Sequence, residues 1–229
     1  MIDSTSGLFF GPKRVQTRVV AQPTTYPRID FHDVARQVGV DLEKALDGLR
    51  ALYADIDARN ALNTKALNLP CHSGCDACCH ESVFLTPLEF YGVWDWVQRN
   101  VDDEHRTSMI EQGLAIYGAN SDLILQLNEP EKPEGPSHDV LARQLKFRCP
   151  MLGADGRCSV YPMRELLARL FGCSFNSAGG VYGCDLVGSH LAGKLVTLLP
   201  AEATAKRISS LPFTHKRQVY PYYINQLFG

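Results

Sequence analysis

Four of the eight cysteines in this chain lie within nine consecutive residues, and no other feature restricts the possible folds so strongly. The four are Cys71, Cys75, Cys78 and Cys79. Thiolate sulfur is the ligand that zinc and iron–sulfur clusters prefer, and packing alone does not explain such a concentration of thiols. Gly74 gives the loop backbone freedom to direct several sulfurs towards one centre. The run therefore predicts a metal-binding loop.

A second set of cysteines follows much later in the chain, at Cys149, Cys158, Cys173 and Cys184. Closed zinc sites and iron–sulfur clusters both take four thiolates as a rule. We therefore predict that all eight cysteines are metal ligands, that sulfurs from both sets converge on shared metal, and that the eight can fill one or two centres. Because Cys78 and Cys79 are adjacent, Cys79 is expected to point away from Cys78, towards a second face or a second metal.

Disulfide bonds are the alternative use of eight cysteines. Disulfide frameworks belong to oxidising compartments and usually to shorter chains. The N-terminal residues lack the basic start and long apolar run of an export signal. No stretch approaches the roughly 18 uninterrupted apolar residues of a membrane span. We therefore expect a cytoplasmic protein without a membrane-spanning segment, whose thiols stay reduced.

The composition is that of a globular protein, with 45% hydrophobic and 21% charged residues. The formal net charge of −2 argues against a broad basic surface, so no nucleic-acid partner is expected. The chain also contains no phosphate-binding loop and no dinucleotide fingerprint.

The apolar spacing predicts a mainly α fold. From Asp41 the apolar positions are separated by steps of four, three, four and three residues, which indicates a core-facing helix that ends before Pro70. These positions are Leu42, Leu46, Leu49, Tyr53 and Ile56. Asp30 is expected to cap an earlier helix, and the run from Thr86 to Glu89 is typical of a capping box that opens a later one.

The chain is expected to contain one domain with an N-terminal extension. Residues 1–29 are interrupted by prolines and are predicted to form an extended arm. Residues 30–229 are predicted to form a single metal-binding domain, whose cysteine-cluster core covers about 70–185. Within it, Asp155-Gly156 is a turn signal and predicts a small irregular β-hairpin over 146–161. The expected fold is thus a helical domain with cysteine-rich metal-binding loops.

The charges around the two cysteine sets differ in sign. From Cys71 to Glu81 there are two acidic residues and no Lys or Arg, whereas residues 146–169 carry five cations and two acids, a net charge of +3. The cations are Lys146, Arg148, Arg157, Arg164 and Arg169. Nearby cations would offset the negative charge of an all-thiolate centre. The alternative is that they are ordinary solvated surface charges.

In these segments the chain resembles the cysteine-cluster family named for its CxxCxxCC signature, also called YkgJ-like, described as zinc- or iron-chelating domains. The likeness covers roughly residues 70–175 and rests on the early run, on Glu89, and on the segments 149–152 and 158–161. It implies chelation by cysteines from both segments. Relatives of the family include flagellin lysine methylases that carry an iron–sulfur cluster.

The chain departs from this family after the second segment. The family typically continues Arg-Pro-x-x-Cys-Arg, whereas here Glu165 replaces the proline and Ala168 replaces the cysteine, although Arg169 is retained. Cys173 lies four residues beyond Arg169. Either Cys173 substitutes as a ligand from the next helical turn, or the site has been remodelled.

Three functions follow as expectations. Zinc fingers usually show two clean Cys-x2-Cys pairs, and the crowded, irregular spacing here favours an iron–sulfur cluster, with 4Fe-4S preferred. The first function is therefore an iron–sulfur protein in electron transfer, redox sensing or metal handling, with a protein or redox partner. The second is a structural zinc module that presents a surface to a protein. The third is a lysine methylase-like enzyme, although no S-adenosylmethionine loop is recognisable.

Overall fold

The computed structural model describes residues 25–72, 74–131 and 133–229, and most of them lie in helices. The predicted mainly α fold with a small β component is confirmed. The predicted arm falls largely on residues 1–24, which lie outside the described residues. Residues 25–30 have no regular secondary structure, and Ile29 is fastened to the helical body by hydrogen bonds with the side chain of Gln98.

The described residues form nine α-helices, joined by short loops and by three 3-10 turns. The α-helices are α1 (Phe31–Gln37), α2 (Leu42–Thr64), α3 (Pro87–Asn100), α4 (Asp103–Asn128), α5 (His138–Gln144), α6 (Leu166–Leu170), α7 (Asp185–Leu191), α8 (Ala201–Lys206) and α9 (Tyr220–Phe228). The 3-10 turns span Ala77–His80, Tyr161–Met163 and Arg207–Ser210.

Five two-residue strands form two small sheets: β1 (Phe84–Leu85), β2 (Ser174–Phe175), β3 (Val181–Tyr182), β4 (Leu199–Pro200) and β5 (Gln218–Val219). In the first sheet β1 pairs with β5 in antiparallel register, with Phe84 opposite Val219. In the second sheet the order is β3-β2-β4, and β2 pairs with β3 in antiparallel and with β4 in parallel register.

Local capping explains where the main helices begin. The Asp30 carboxylate accepts hydrogen bonds from the N–H groups of His32 and Asp33 at the start of α1. At the start of α3, Thr86 and Glu89 make both reciprocal bonds of a capping box. These caps satisfy N–H groups that otherwise have no partner inside a helix, so both predicted helix starts are confirmed.

The main hydrophobic core lies between α2, α3, α6 and α9. The predicted apolar stripe of α2 is buried from Leu42 to Ile56, and Phe90 and Trp94 of α3 stack on each other at 5.7 Å between ring centroids. On its other side α4 packs closely against α9, where Gly113 faces Ile224. Cys149 and Cys158 are half-buried at the edge of this core, so the core supports part of the cysteine-bearing region.

The β-hairpin predicted over 146–161 is reduced to one antiparallel bridge around the predicted turn, flanked by hydrogen bonds from Ser159 N–H to the Met151 carbonyl and from Gly153 N–H to the Arg157 carbonyl, of 2.9 and 2.8 Å. Over 146–161 there is one isolated bridge, between Leu152 and Cys158, and no strand. Pro150 has no N–H for a ladder, and the Arg148 guanidinium takes the carbonyls of Leu152 and Gly153 at 2.9 and 2.8 Å. The two-stranded hairpin that does form is β2–β3, further along the chain.

No helix in the described ranges is long and apolar enough to cross a membrane.

Candidate metal centre

The loop that carries the four early cysteines lies directly against the turn that carries Cys149 and Cys158. The N–H of Cys149 donates a hydrogen bond of 2.7 Å to the carbonyl of Cys79. A Cβ built on Gly156 would lie 3.3 Å from the carbonyl oxygen of Gly74, so the two loops touch at a glycine with a φ of +74°. At the outer edge, Lys146 pairs with Glu81 at 2.8 Å. Residues 70 positions apart in the chain are thus neighbours.

Cys78 and Cys79 occupy the 3-10 turn Ala77–His80, and the two thiols shift each other's pKa. The expectation that Cys79 points away from Cys78, towards a second face or a second metal, stays a prediction. The pair lies beside Cys149, because Cys79 accepts the Cys149 backbone hydrogen bond.

The thiols of this neighbourhood have strongly perturbed acidity. The hydrogen bond from Cys79 lowers the pKa of Cys78 to about 6, and the same bond raises the pKa of Cys79. Burial raises the pKa of Cys149, and the charge of Glu165 adds to it. Burial also raises the pKa of Cys158 to about 11. At neutral pH the metal-free neighbourhood therefore holds one thiolate, on Cys78, stabilised by the neighbouring S–H group.

Cys173 and Cys184 are brought together by the β2–β3 pair. Ser174 lies opposite Tyr182 in that ladder, and the N–H of Gly172 donates to the Tyr182 carbonyl at 2.7 Å. A Cβ on Gly183 would lie 3.0 Å from the Gly172 backbone, so the chains approach closely at this end of the ladder. Cys173 precedes β2 and Cys184 follows β3, which places both at the same end.

One of the two alternatives required Cys173 to lie on the next turn of a helix. In the structure it does not. Helix α6 ends at Leu170, and Gly172, with a φ of +79°, turns the chain into β2. A left-handed conformation of this kind suits glycine and ends a helix. The position that Ala168 occupies is thus followed by a reversal of the chain and not by further helix.

The segment that leads into Cys71 packs against the region of Cys184. Leu67 and Leu69 contact the small apolar cluster that includes Cys184 and the buried Val187 of α7. The ring of His190, also on α7, is hydrogen-bonded to the Leu67 carbonyl at 2.8 Å. These contacts hold the start of the early cysteine loop next to the end of the β2–β3 ladder.

The acidity of Cys71 reflects the same arrangement. The Cys71 residue is exposed as a whole, but partial burial of its thiol raises its pKa, and the charges of Cys75, Cys173, Cys184 and Cys78 raise it further, in that order. Burial also raises the pKa of Cys173. Thiols from the early loop and from one end of the β2–β3 ladder therefore lie within electrostatic range of each other.

Of the five cations, Arg164 is the one whose charge affects the pKa values of the thiols. Its positive charge lowers the pKa values of Cys78, Cys158 and Cys173. Its guanidinium lies 4.4 Å from the ring centroid of Tyr161, and its Nε is buried without a hydrogen-bond partner among the described residues. A buried charged donor of this kind can stabilise an anionic sulfur centre.

The other four predicted cations have different partners. Lys146 pairs with Glu81, Arg148 holds the turn carbonyls, and Arg157 lies 4.0 Å from Asp155. Arg169 is buried, pairs with Asp57 and lies 4.1 Å from the ring centroid of Tyr53. The predicted excess of positive charge is therefore used mainly to hold the loops, and Arg164 alone of these five is seen to act on the thiols.

Two buried glutamates lie behind the cysteine loops, and the sequence signalled only one of them. Glu89 was marked by its capping box. The sequence shows Glu165 only as the residue that replaces the proline of the family pattern. In the structure Glu165 is buried and accepts a 2.5 Å hydrogen bond from the Tyr220 hydroxyl. Burial raises the pKa of Glu165. No local sequence pattern links positions 165 and 220, so this contact was beyond prediction.

The donor set fits a thiolate-bound metal centre by its chemistry, although the ligands are not gathered into a closed set. All eight cysteines are free thiols. Among the residues that the structure describes, no three His, Cys, Asp or Glu side chains are grouped closely enough to hold one metal ion. What the fold provides is two neighbouring groups of thiols, with the half-buried Arg164 in electrostatic range of members of both.

Comparison with known proteins adds no relative: no family model matches the chain, and neither a curated protein nor a solved structure matches it. The likeness to the CxxCxxCC family thus stays a prediction that rests on the motif residues.

Proposed function

We propose that the protein is a cysteine-ligated iron–sulfur protein that exchanges electrons with a partner protein. The observation that carries the proposal is the direct contact of the two cysteine-bearing segments, through the 2.7 Å hydrogen bond from Cys149 N–H to the Cys79 carbonyl. Without it, the two cysteine sets would be two unrelated loops. With it, soft sulfur donors distant in the chain share one region of the surface, which is what a thiolate-bound metal needs.

Reduced, unpaired thiols support this proposal over a disulfide framework. Eight free cysteines fit a reducing compartment, and we propose the cytoplasm. Buried thiols whose pKa values are raised hold protons without a metal, and a bound cation displaces those protons as it takes the sulfurs. The buried thiols of Cys149 and Cys158 are therefore ligands whose protons a bound metal would displace.

The residues around the centre have distinct roles in this proposal. The eight cysteines would hold the metal, and an iron–sulfur cluster would supply one-electron transfer there. Arg164 offsets the negative charge of the sulfurs, and the core beneath Cys149 and Cys158 excludes water on one side. Cys71 and Cys78 are exposed and mark the side that an electron-transfer partner can approach.

Metal and sulfide analysis of anaerobically purified protein tests the proposal. We expect a brown protein with iron and acid-labile sulfide, and Cys149→Ser should lose much of both. Ala154→Ser is the matched control, because Ala154 is exposed in the same turn and carries no thiol. Stoichiometric zinc without sulfide would favour the structural zinc module instead. Protein with neither metal would refute metal binding altogether.

Metal removal should also destabilise the region from 70 to 185, above all its cysteine-bearing loops. The irregular loops there have few regular backbone hydrogen bonds of their own, so metal binding energy is folding energy in such a region. Chelation should reduce the helical circular dichroism signal in part and lower the thermal midpoint. Unchanged circular dichroism and an unchanged midpoint after complete removal of the metal would contradict this.

A further inference from the structure

We propose that Tyr161 and Arg164 form a docking site for a carboxylate group on an acidic partner protein. Both side chains belong to the short turn that comes soon after Cys158. The inference adds partner recognition to the proposed function, and it rests on that function only for the identity of the partner as an electron-transfer protein. The site itself consists of an aromatic ring and a guanidinium group, so it needs no bound metal.

The run Tyr-Pro-Met-Arg places the ring and the guanidinium on one side of a 3-10 turn. The turn spans Tyr161–Met163, and the N–H of Arg164 donates to the Tyr161 carbonyl at 3.4 Å. Side chains three residues apart eclipse each other in a 3-10 turn, so the guanidinium lies over the ring, 4.4 Å from its centroid. Tyr161 is 59% exposed. The stacked pair therefore lies at the protein surface.

Arg164 lacks the acceptor that a guanidinium withdrawn from water needs. The residue is half-buried, its Nε is buried, and no oxygen of the described residues accepts a hydrogen bond from it. A guanidinium has five N–H donors, and an aromatic ring offers none of them an oxygen. Such a donor is costly while it stays unsatisfied. A carboxylate from another molecule would satisfy it through two parallel hydrogen bonds.

The other arginines show that this fold normally supplies such an acceptor. Within the described ranges, every arginine other than Arg164 and the exposed Arg143 has a carboxylate or carbonyl partner. The carboxylate next to Arg164 in the sequence, that of Glu165, is buried and accepts the Tyr220 hydroxyl. The missing acceptor at Arg164 is thus an exception that a partner molecule would complete.

The turn is held in place from its buried side, which prepares the site for binding. The buried Arg169 guanidinium donates from Nε to the Arg164 carbonyl at 2.8 Å and from Nη2 to the Pro162 carbonyl at 2.7 Å. The same guanidinium pairs with Asp57 of α2. One side chain anchored on a core helix therefore fixes two carbonyls of the turn. A site that is already ordered loses less conformational entropy when it binds.

The kind of partner follows from the exposure and the charge of the site. An exposed ring offers an open surface, whereas small molecules bind in concave pockets. Tyrosine and arginine are enriched among the residues that carry the binding energy of protein–protein interfaces. A formal net charge of −2 does not provide the basic surface that a nucleic-acid backbone needs. A carboxylate on an acidic protein therefore fits the site best.

The position of the site suits an electron-transfer partner. The N–H of Tyr161 donates to the Cys158 carbonyl at 3.3 Å. A protein that docks on the Tyr161 ring therefore lies beside the turn that carries Cys149 and Cys158, against which the early cysteine loop is packed.

Modification of arginines by phenylglyoxal tests the site on the unaltered full-length protein. The probe is an acetylated, amidated peptide of alternating glutamate and glycine, and the same peptide with glutamine in place of glutamate is its neutral control. We expect the acidic peptide alone to protect Arg164 from modification, as read by mass spectrometry, while the exposed Arg143 stays unprotected. Equal protection of both arginines, or of neither, would overturn the inference.

Isothermal titration calorimetry with the same peptides then measures the role of each side chain. Arg164→Gln should weaken binding of the acidic peptide by about 10- to 100-fold, because it removes hydrogen bonds between charged groups. Arg143→Gln is the matched control and should leave the affinity unchanged. Tyr161→Ala should weaken binding by about 2- to 5-fold, and Tyr161→Phe, which keeps the ring under the guanidinium, should restore it. A folded Arg164→Gln protein, checked by circular dichroism, that binds like the wild type would contradict the proposal.

Two further measurements separate the proposal from its alternatives. Inorganic phosphate or a single-stranded oligonucleotide that binds through Arg164 more tightly than the acidic peptide would assign the site to phosphate and overturn the carboxylate. Metal and sulfide analysis of the same preparations distinguishes the docking site from the proposed function. Peptide binding at Arg164 by a protein that takes up no metal supports the docking site and refutes the iron–sulfur proposal. A protein with iron and sulfide whose Arg164 does not respond to the peptide overturns the docking site alone.

Discussion

Replacement of Glu89 by glutamine should destabilise the protein far more than a surface change of the same kind. The Glu89 carboxylate is completely buried and accepts five hydrogen bonds. The donors are Tyr53 Oη at 3.1 Å, Leu166 N at 2.7 Å, Thr86 N at 2.7 Å, Thr86 Oγ1 at 2.9 Å and Arg217 Nη1 at 3.2 Å. These donors belong to α2, the α3 cap, α6 and the segment before β5, so one carboxylate joins the elements on both sides of the cysteine loops.

The size of the effect follows from the number of donors. Glutamine offers one acceptor oxygen and a donor NH2 group, so in either orientation at least one backbone N–H, that of Leu166 or that of Thr86, loses its partner. An unsatisfied buried N–H costs about 1–3 kcal/mol. The Arg217 cation also loses its anionic partner, and removal of one member of a buried ion pair costs about 3–5 kcal/mol. Because both costs arise at one site from the same loss of charge, they overlap and do not add, and we expect a total loss of about 3–5 kcal/mol in the free energy of unfolding for Glu89→Gln.

Urea denaturation of the metal-loaded protein under anaerobic conditions, followed by circular dichroism, measures this loss. Glu81→Gln is the matched control, because Glu81 also links the two cysteine segments but does so through an exposed pair with Lys146. Exposed pairs contribute at most about 1 kcal/mol. If Glu89→Gln and Glu81→Gln cost the same small amount, Glu89 does not hold the elements together and the reasoning is wrong.

Two further predictions use matched pairs of substitutions. In reduced, metal-free protein the alkylation rate of Cys78, followed by mass spectrometry against pH, should be half-maximal near pH 6, because the hydrogen bond from Cys79 lowers its pKa to about 6. Cys79→Ala should move this midpoint upwards and Cys79→Ser, which keeps a donor, should move it less; an unmoved midpoint in Cys79→Ala would contradict the assigned cause. On α4, Gly113→Ala should cost about 1–3 kcal/mol by overpacking, since the new Cβ would lie 2.5 Å from Ile224. Gly118→Ala on the same helix meets no atom within 4 Å and should gain up to about 1 kcal/mol, both measured by urea denaturation.

The helices and their starts could be predicted because their causes are local. The apolar stripe of α2 repeats every three to four residues, and the capping box at Thr86 and Glu89 is contained in four consecutive residues. The strands could not be placed in the same way. They are two residues long, and at the turn of Asp155-Gly156 the pairing stops at one bridge, where the Asp155 side chain accepts the Arg157 N–H and Arg148 donates to the Gly153 carbonyl. A competition between side chain and backbone of this kind leaves no periodic pattern.

The composition of the candidate site could be predicted, but its supports could not. Cysteine is rare and its clusters are dense, so all eight positions were visible in the sequence. Glu165, Tyr220 and Arg217 are common residue types with no fixed spacing, and their contacts span 55 to 128 positions of the chain. Their partners are determined by how the helices pack, which a single sequence does not show.

The two buried glutamates give the cysteine loops a rigid base that the loops themselves lack. Glu89 accepts the N–H of Leu166, and Glu165, the residue before it, accepts the Tyr220 hydroxyl, so the end of the late cysteine turn is tied to α3 and to α9 at adjacent positions. The early loop is tied to the same base, because it runs from α2, which carries Tyr53, to the α3 cap. In the proposed function, both segments would keep these ends fixed while their sulfurs move to take a metal. Irregular loops between fixed ends would let thiols that are not gathered into a closed set stay close enough for that metal to gather them.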